Sequence, residues 1–179
     1  MDLKGKRIIL ASNSPRRKEL LAGLDIEFTV DTRNNFEETY DPSTPHEKVP
    51  ELMSEGKSLG FWRDLEEDEI IITSDTMVLC GNEIMGKPHS AEEAATMLRH
   101  LSGREHQVIT AVTVRDSRRM ETISDKAEVW FKELTEDEIS YYIENYRPFD
   151  KAGAYGIQEW IGYIGITKLE GSFYTVMGF

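Results

Sequence analysis

Cysteine and long apolar runs are the two features that this sequence most clearly lacks. One cysteine, Cys80, among 179 residues excludes an internal disulfide and a thiolate zinc cluster. No apolar run approaches the roughly 18 residues that a transmembrane helix needs. Residues 1–10 hold only a short apolar stretch and no small-residue cleavage site, so we expect no signal peptide. These absences predict a soluble cytoplasmic protein without a membrane partner.

Positive charge is also scarce. The chain has 21 Lys and Arg against 33 Asp and Glu, which gives a net charge of −12. Because a surface this acidic repels phosphate polymers, it argues against nucleic acid as a partner, but it permits a small anion held by a few cations. Hydrophobic residues make up 39 % of the chain, enough for a core in one domain or in one two-lobed domain.

Several catalytic motifs are missing as well. No histidine has the i,i+4 partner of an H-E-x-x-H zinc site, and neither a Walker A loop nor G-x-G-x-x-G occurs. Cys80 has no clear histidine partner in the sequence, so we interpret it as a packing residue. The sequence therefore offers no common metal or nucleotide signature.

Strand-like and helix-like segments alternate along the chain. Apolar runs predict strands at residues 7–11, 26–30, 70–73, 106–114, 123–131, 163–169 and 173–177. Capping residues predict helices that begin at Ser14, Ser90 and Thr135, and a fourth helix is predicted over residues 47–62. A hairpin is predicted over residues 77–85, around the Gly81-Asn82 turn. Hairpins among βα units predict a mixed α/β sheet.

The segment between the first strand and the first helix is the first candidate site. Ser12 and Ser14 supply hydroxyls there, and Arg16 and Arg17 fall in the first helical turn. A helix N-terminus already favours an anion, and cations at that end need a reason, which a polyphosphate supplies. The alternative is an ordinary capped helix with exposed arginines.

Three further positions could carry chemistry. Asp75 follows a buried strand, where a carboxylate can orient a water or hold a divalent cation, although an Asp that caps a turn looks the same. Lys87, between Gly86 and Pro88, offers a charge to a phosphate, or it is an ordinary turn lysine. Gln158 lies at the end of a Gly-rich segment, and its amide offers both a donor and an acceptor to the edge of a base. The alternative is that this segment only connects a helix to a strand.

Taken together, the segments resemble one family. The matching residues are 10–17, 74–78, 86–88, 97–103, 150–158, 171–174 and 176–178. In this order and spacing they are similar to the Maf family of nucleoside triphosphate pyrophosphatases. The resemblance implies an elongated mixed sheet flanked by helices around a central cleft, as in inosine triphosphate pyrophosphatases. It implies one domain over residues 1–179, two-lobed around the cleft, and it suggests a homodimer.

The resemblance also implies a reaction and a set of site residues. The reaction is hydrolysis of a nucleoside triphosphate to the monophosphate and pyrophosphate, with Mg²⁺ or Mn²⁺ as cofactor. Asp75 matches the catalytic proton acceptor, and Glu37 is expected to hold the metal with it, with Glu38 as the alternative across a variable loop. The residues implied to bind phosphate are Ser12, Ser14, Arg16, Lys57 and Lys87.

Substrate choice is implied by three more positions. Arg17, Thr76 and Gln158 match the subgroup that resembles dTTP and UTP pyrophosphatases, whereas the 7-methyl-GTP subgroup tends to have Trp, Gln and Glu there. A neutral amide suits the carbonyl and N–H edge of uracil or thymine. A nucleotide-binding regulator of cell division and septum formation, with little turnover, is the alternative from another class. A 7-methyl-GTP pyrophosphatase is a further alternative, which the residues at the three positions oppose.

Two departures from the family pattern remain. Glu159 follows Gln158 where the family often has glycine, which we expect to alter the pocket rim. The family usually continues past Gly178 with Leu-Pro and a final helix, whereas this sequence ends at Phe179.

Overall fold

The structure is a computed structural model that describes residues 2–179. Over that range the strands are β1 (Arg7–Leu10), β2 (Phe28–Val30), β3 (Glu69–Cys80), β4 (Glu83–Met85), β5 (Glu105–Arg115), β6 (Met120–Phe131) and β7 (Ile166–Glu170). The α-helices are α1 (Pro15–Ala22), α2 (Val49–Leu59), α3 (Ala91–Leu101), α4 (Glu136–Tyr146), α5 (Trp160–Gly165) and α6 (Phe173–Met177). No helix in this range has the length and apolarity needed to span a bilayer.

The strands form a mixed sheet. Their order is β2-β1-β3-β5-β6-β7, and β4 pairs with β3 off this path. Strand β1 is parallel to both neighbours, whereas the β3–β4 and β6–β7 pairs are antiparallel. The predicted mixed α/β sheet with helices is therefore confirmed.

The chain divides into two compact units. The first comprises the residues up to Asp75 together with Thr110–Asp125 and Gly178–Phe179, and the second comprises Thr76–Ile109 and Lys126–Met177. Strands β3, β5 and β6 contribute residues to both units. The expectation of one two-lobed domain around a cleft stays a prediction.

In the first unit, β1 is covered on both faces. Ile8 and Leu10 pack with Leu21 of α1, while Ile9 packs with Phe61 and Ile71 on the opposite side. Alternate residues of a strand point to opposite faces, so an unbroken apolar run is what a strand buried on both sides requires. This packing fixes the end of β1, from which the next segment leaves the sheet.

The core of the second unit contains an aromatic cluster. His106 of β5 stacks on Phe131 of β6 at 5.4 Å between ring centroids, and Tyr155 meets both rings edge-on. The His106 Nε2 atom shares a hydrogen bond with the Tyr155 hydroxyl. The cluster therefore holds Tyr155, and with it the chain that leads to Gln158, inside the core.

All three predicted helix caps form. Ser14, Ser90 and Thr135 each accept a hydrogen bond from a backbone N–H in the first turn, and Thr135 forms the full reciprocal box with Glu138. At the α3 start, the Glu93 carboxylate accepts from the His89 N–H instead. The capping signals located these helices well because each depends only on neighbouring residues.

The hairpin predicted over residues 77–85 is confirmed by the antiparallel pairing of β3 and β4, and β3 runs from the strand predicted at 70–73 to Cys80 without a break. The two closing strands were predicted wrongly, one of them in part. Residues 173–177, predicted as a strand, form α6, and α5 occupies the first half of the strand predicted at 163–169. Short apolar runs do not distinguish strand from helix, and here Ser172 accepts the Tyr174 N–H and begins α6.

Candidate active site

The β1–α1 junction forms a polar turn. Ser12 is buried, and its Oγ accepts the Ser14 N–H at 3.2 Å. The Ser14 Oγ in turn accepts the Arg17 N–H at 3.4 Å, with Pro15 at the start of α1. Two hydroxyls and the first N–H groups of α1 thus lie within one turn of chain, an arrangement suited to an anion.

Arg17 is anchored in this turn. Its Nε donates to the Gly178 carbonyl at 2.9 Å, and its guanidinium also reaches the Ser12 Oγ at 3.5 Å. Burial lowers the pKa of Arg17 to about 10, an effect that Arg16 increases and that Asp75 opposes. Arg17 therefore stays charged at neutral pH, and both Arg16 and Asp75 lie within its electrostatic range.

Lys57 and Asp75 form an ion pair within the predicted site. The Lys57 Nζ lies 2.9 Å from Asp75 Oδ1 and 3.1 Å from Glu38 Oε1. The Lys57 and Asp75 side chains are about one-fifth exposed, at 20 % and 21 %, whereas Glu38 is 61 % exposed. One ammonium group therefore joins a half-buried carboxylate on β3 to a loop carboxylate.

Helix α2 holds Lys57 over β3 through a buried polar contact. The Ser54 Oγ donates to the Thr73 carbonyl at 3.2 Å, and the Thr73 hydroxyl donates back to the Ser54 carbonyl at 2.7 Å. Ser54 also contacts the Thr113 hydroxyl at 2.8 Å. Residues three apart share a helix face, so Lys57 follows Ser54 onto the same strand and meets Asp75.

The loop that carries Glu38 is fixed against α2 by two glycines. A Cβ at Gly56 would lie 2.2 Å from the Phe36 ring, and one at Gly60 would lie 2.5 Å from the Asn34 side chain. Asn34 also donates to the Lys57 carbonyl at 2.6 Å. The predicted loop is therefore seated on the helix, and this seating carries Glu38 to Lys57.

The surroundings of Asp75 set its protonation. Burial raises the pKa of Asp75 above its ordinary value, and Glu38 acts in the same direction. The charge and hydrogen bond of Lys57, and the charge of Arg17, act against that rise. A carboxylate with a raised pKa is a better proton acceptor at neutral pH than an ordinary Asp.

In the second unit, the Lys87 turn meets the Gly-rich segment. The Gly153 N–H donates to the Gly86 carbonyl at 3.1 Å, next to the exposed Lys87. Gly153 has φ +70°, and a Cβ there would lie 3.1 Å from Val78, so this position needs glycine. Two motifs far apart in the sequence are thereby joined.

Gln158 lines a cavity of about 290 Å³. The other lining residues are Ile157, Gly162, Tyr163, Ile166, Leu169 and Phe173. Among residues 2–179, the buried Gln158 Oε1 atom has no hydrogen-bond partner. A buried acceptor without a partner is costly, so a ligand that brought a donor to this atom would lower the free energy of the site.

The predicted residues therefore fall into two groups. Those in the first unit are Ser12, Ser14, Arg16, Arg17, Glu37, Lys57 and Asp75, and those in the second are Thr76, Lys87 and Gln158. Glu37 is exposed, and it is Glu38 that contacts Lys57. Sequence reasoning missed the loop anchor Phe36 and the Gly178 carbonyl, since neither carries a chemical signature of its own.

Two carboxylates of the candidate site, those of Asp75 and Glu38, could take part in holding a metal ion. Within residues 2–179 there is no group of three or more His, Cys, Asp or Glu side chains that could hold a metal ion. Asp75 and Glu38 nevertheless face one cation from two sides. Mg²⁺ usually takes one or two carboxylates and completes its shell with substrate phosphates, so this donor set fits such an ion.

Comparison with known proteins identifies the family. The structure combines a mixed α/β sheet with a polar turn between β1 and α1 and with the Lys57–Asp75 ion pair. These features suit an enzyme that acts on small anionic ligands. The family described as Maf-like protein matches residues 7–179. The chain therefore belongs to the Maf-like protein family.

Relatives of this chain carry a specific name. Proteins named "dTTP/UTP pyrophosphatase" from Phocaeicola vulgatus and Porphyromonas gingivalis are each 48 % identical, over 99 % of this chain and 92 % and 90 % of their own lengths. One of that name from Flavobacterium johnsoniae is 44 % identical over 98 % of this chain and 90 % of its own. The solved Staphylococcus aureus Ham1 protein is similar at 16 % identity and a TM-score of 0.47, over 70 % of this chain and 72 % of its own.

Proposed function

We propose that this protein hydrolyses nucleoside triphosphates, dTTP and UTP above all, to the monophosphate and pyrophosphate. The contact of Lys57 with Asp75 carries the proposal, because it sets a phosphate-neutralising cation beside a carboxylate of raised pKa. The shared name of relatives at 44–48 % identity supports the choice of reaction and substrates.

Binding of the triphosphate would depend on hydroxyls and cations. The residues proposed to contact the phosphates are Ser12, Ser14, Arg16, Lys57 and Lys87. In support, Ser12 and Ser14 belong to one polar turn at the start of α1. The chain carries an excess of 12 negative charges, so these few placed cations, and not the surface as a whole, must attract the anion.

The proposed cofactor is Mg²⁺ or Mn²⁺. Asp75 would hold it together with a loop carboxylate, predicted as Glu37, although the Glu38–Lys57 contact favours Glu38. When bound, such an ion neutralises charge on the phosphate oxygens.

Asp75 is proposed as the base. It would orient a water and accept one of its protons while the water oxygen bonds to the α-phosphorus. The bond from that phosphorus to the bridging oxygen then breaks, and the electron pair leaves with pyrophosphate. Lys57 and Arg16 would offset the developing charge, so catalysis depends on position and electrostatics.

Base selection is proposed for Arg17, Thr76 and Gln158. The unpartnered Gln158 Oε1 beside a cavity supports this for Gln158, since its amide can pair with the N–H and carbonyl of uracil or thymine. We further propose that the protein acts in the cytoplasm as a homodimer and that modified pyrimidine nucleotides are also substrates. Nucleic acid polymers and membranes are not proposed as partners.

Pyrophosphate release from dTTP, UTP, CTP, GTP and 7-methyl-GTP, with Mg²⁺ or Mn²⁺ and with a chelator, tests this function. We expect metal-dependent release, fastest from dTTP and UTP. Release fastest from 7-methyl-GTP would refute the proposed selectivity. If the folded protein releases no pyrophosphate from any of these nucleotides, the proposed enzymatic activity is refuted and the nucleotide-binding regulator is favoured.

Asp75→Asn tests the base directly. It should lower kcat by about 10²- to 10⁴-fold, far more than it weakens nucleotide binding, because an amide cannot accept the proton of the attacking water. The matched control is Asp137→Asn, an exposed carboxylate on α4, which should leave kcat unchanged. Near-normal turnover by Asp75→Asn would show that the base lies elsewhere.

A further inference from the structure

The Tyr142 hydroxyl ties down both ends of a four-residue turn. Tyr142 is fully buried on α4, and its hydroxyl accepts the Gly156 N–H at 3.0 Å while donating to Glu159 Oε1 at 2.9 Å. The Glu159 N–H closes the turn on the Gly156 carbonyl at 3.0 Å. Gln158 lies inside this turn, so a single phenol sets the two flanks of the proposed base-selecting residue.

Lys151 completes the contact set around Glu159. Its Nζ lies 3.3 Å from Glu159 Oε1, and its side chain is 11 % exposed. A Cβ at Gly156 would lie 2.7 Å from the Glu159 carboxylate and 3.1 Å from Gln158 Nε2. The polar groups are therefore packed closely enough that a shift of one moves the next.

The chemistry of the three groups keeps this arrangement in one state. Burial and the nearby Glu159 charge raise the pKa of Tyr142, so the phenol keeps the proton that it donates to Glu159. The Lys151 ammonium pairs with this carboxylate at 3.3 Å and with the exposed Asp150 carboxylate at 2.9 Å. A neutral donor, a charged acceptor and a cation in contact leave few other hydrogen-bond patterns open.

We propose that Tyr142, Glu159 and Lys151 are positioning residues that fix the 156–159 turn and thereby the direction of the Gln158 amide in its cavity. This rests on the proposed function, because the amide direction matters only if Gln158 reads the base. It also gives Glu159 a part in the site: its carboxylate is turned to Tyr142 and Lys151 and holds the selecting turn in place.

Tyr142→Phe is the first variant. It keeps the ring and removes both hydroxyl contacts, so we expect KM for UTP and dTTP to rise about fivefold while kcat stays within about twofold. The preference for UTP over GTP should fall by a similar factor. The control is Tyr141→Phe. The Tyr141 ring contacts Trp160 and the residue is 47 % exposed, so this variant should change neither KM nor kcat.

A double-mutant cycle separates positioning from a merely structural role. In a Gln158→Ala background, Tyr142→Phe should add no further loss of UTP preference, because it acts through the missing amide. Full additivity would overturn the proposal, as would a loss confined to kcat. If Tyr142→Phe does not fold, Glu159→Ala replaces it with the same expected loss, and Glu159→Gln, which keeps an acceptor oxygen, should restore most of it.

The two proposals fail differently. Absence of turnover by the wild-type protein would overturn the proposed function. Turnover whose UTP preference depends on Gln158 but not on Tyr142 would overturn only the positioning role.

Discussion

At the scale of single residues, Lys57 determines the properties of the proposed base. Its ammonium contacts Asp75 and Glu38, and the pKa of Asp75 is the balance of burial against this contact. In the folded protein the two carboxylates share this one cation. A substrate phosphate or divalent ion that draws on either partner must therefore change the proton affinity of Asp75.

Lys57→Met should move the acid limb of the pH–rate profile. Lys57 lowers the pKa of Asp75, so its loss should raise that pKa, and the fall of kcat/KM at acid pH should begin at a higher pH than in the wild-type protein. The measurement is kcat/KM for UTP against pH.

Lys48→Met, which removes an exposed lysine paired with Glu51, serves as the control for that profile. Its acid limb should coincide with that of the wild-type protein. If the Lys57→Met limb also coincides, a group other than Asp75 titrates there.

Residue identities were accessible from the sequence, but their neighbours were not. Asp75 was predicted at a strand end, yet β3 runs on to Cys80. The parallel pairing of β3 with β1 ends at Ile72, so Asp75 lies three residues beyond the last residue of β3 that pairs with β1. The position of Asp75 relative to β1 therefore depends on strand pairing, which the sequence does not show, and the choice between Glu37 and Glu38 depends on a loop packed through Phe36.

At the scale of elements, α2 and the loop before it behave as one unit of packing. Proline and glycine normally disfavour a helix interior, yet Pro50 lies in the first turn of α2, where proline is tolerated. Gly56 leaves room for the Phe36 ring. A residue type that is unfavourable in helices is therefore the one that lets the Glu38 loop pack against α2.

Gly56→Ala reverses the usual effect of that substitution. In a helix interior, Ala is normally more stable than Gly by about 1 kcal/mol. Here the new Cβ would lie 2.2 Å from Phe36, so we expect the free energy of unfolding to fall by about 1–3 kcal/mol, measured by urea denaturation.

Two further variants test the cause. Gly23→Ala, at the end of α1 with φ −64° and its nearest contact at 3.3 Å, should change stability by less than about 0.5 kcal/mol. Gly56→Ala combined with Phe36→Ala should cost less than the sum of the single changes. A simple gain in stability from Gly56→Ala would contradict the packing argument.

At the scale of the whole molecule, acid pH acts on stability through buried as well as paired groups. Paired carboxylates such as Asp68 and Glu69 have lowered pKa values because Arg7 and Arg63 bind them, so acid weakens these contacts. His106 acts in the same direction. Burial lowers its pKa to about 3, and the folded protein therefore keeps it neutral.

His106→Gln should flatten the loss of stability in acid. A histidine in the unfolded chain takes up a proton below about pH 6.5, whereas buried His106 does not. The contribution of neutral His106 to the free energy of unfolding is therefore fully present above about pH 6.5, and it decreases as the pH falls towards about 3. Between pH 7 and 5 this amounts to about 2 kcal/mol of unfolding free energy. Urea denaturation at both pH values should show that the wild-type protein loses about that much more unfolding free energy than His106→Gln, since the paired carboxylates contribute equally to both.

His89→Gln is the control. It removes a histidine that is 87 % exposed, so it should lose as much unfolding free energy between pH 7 and 5 as the wild-type protein does. Equal losses in the wild-type protein and His106→Gln would mean that His106 is protonated in the folded state as easily as in the unfolded one, and the buried aromatic cluster would then have to admit water.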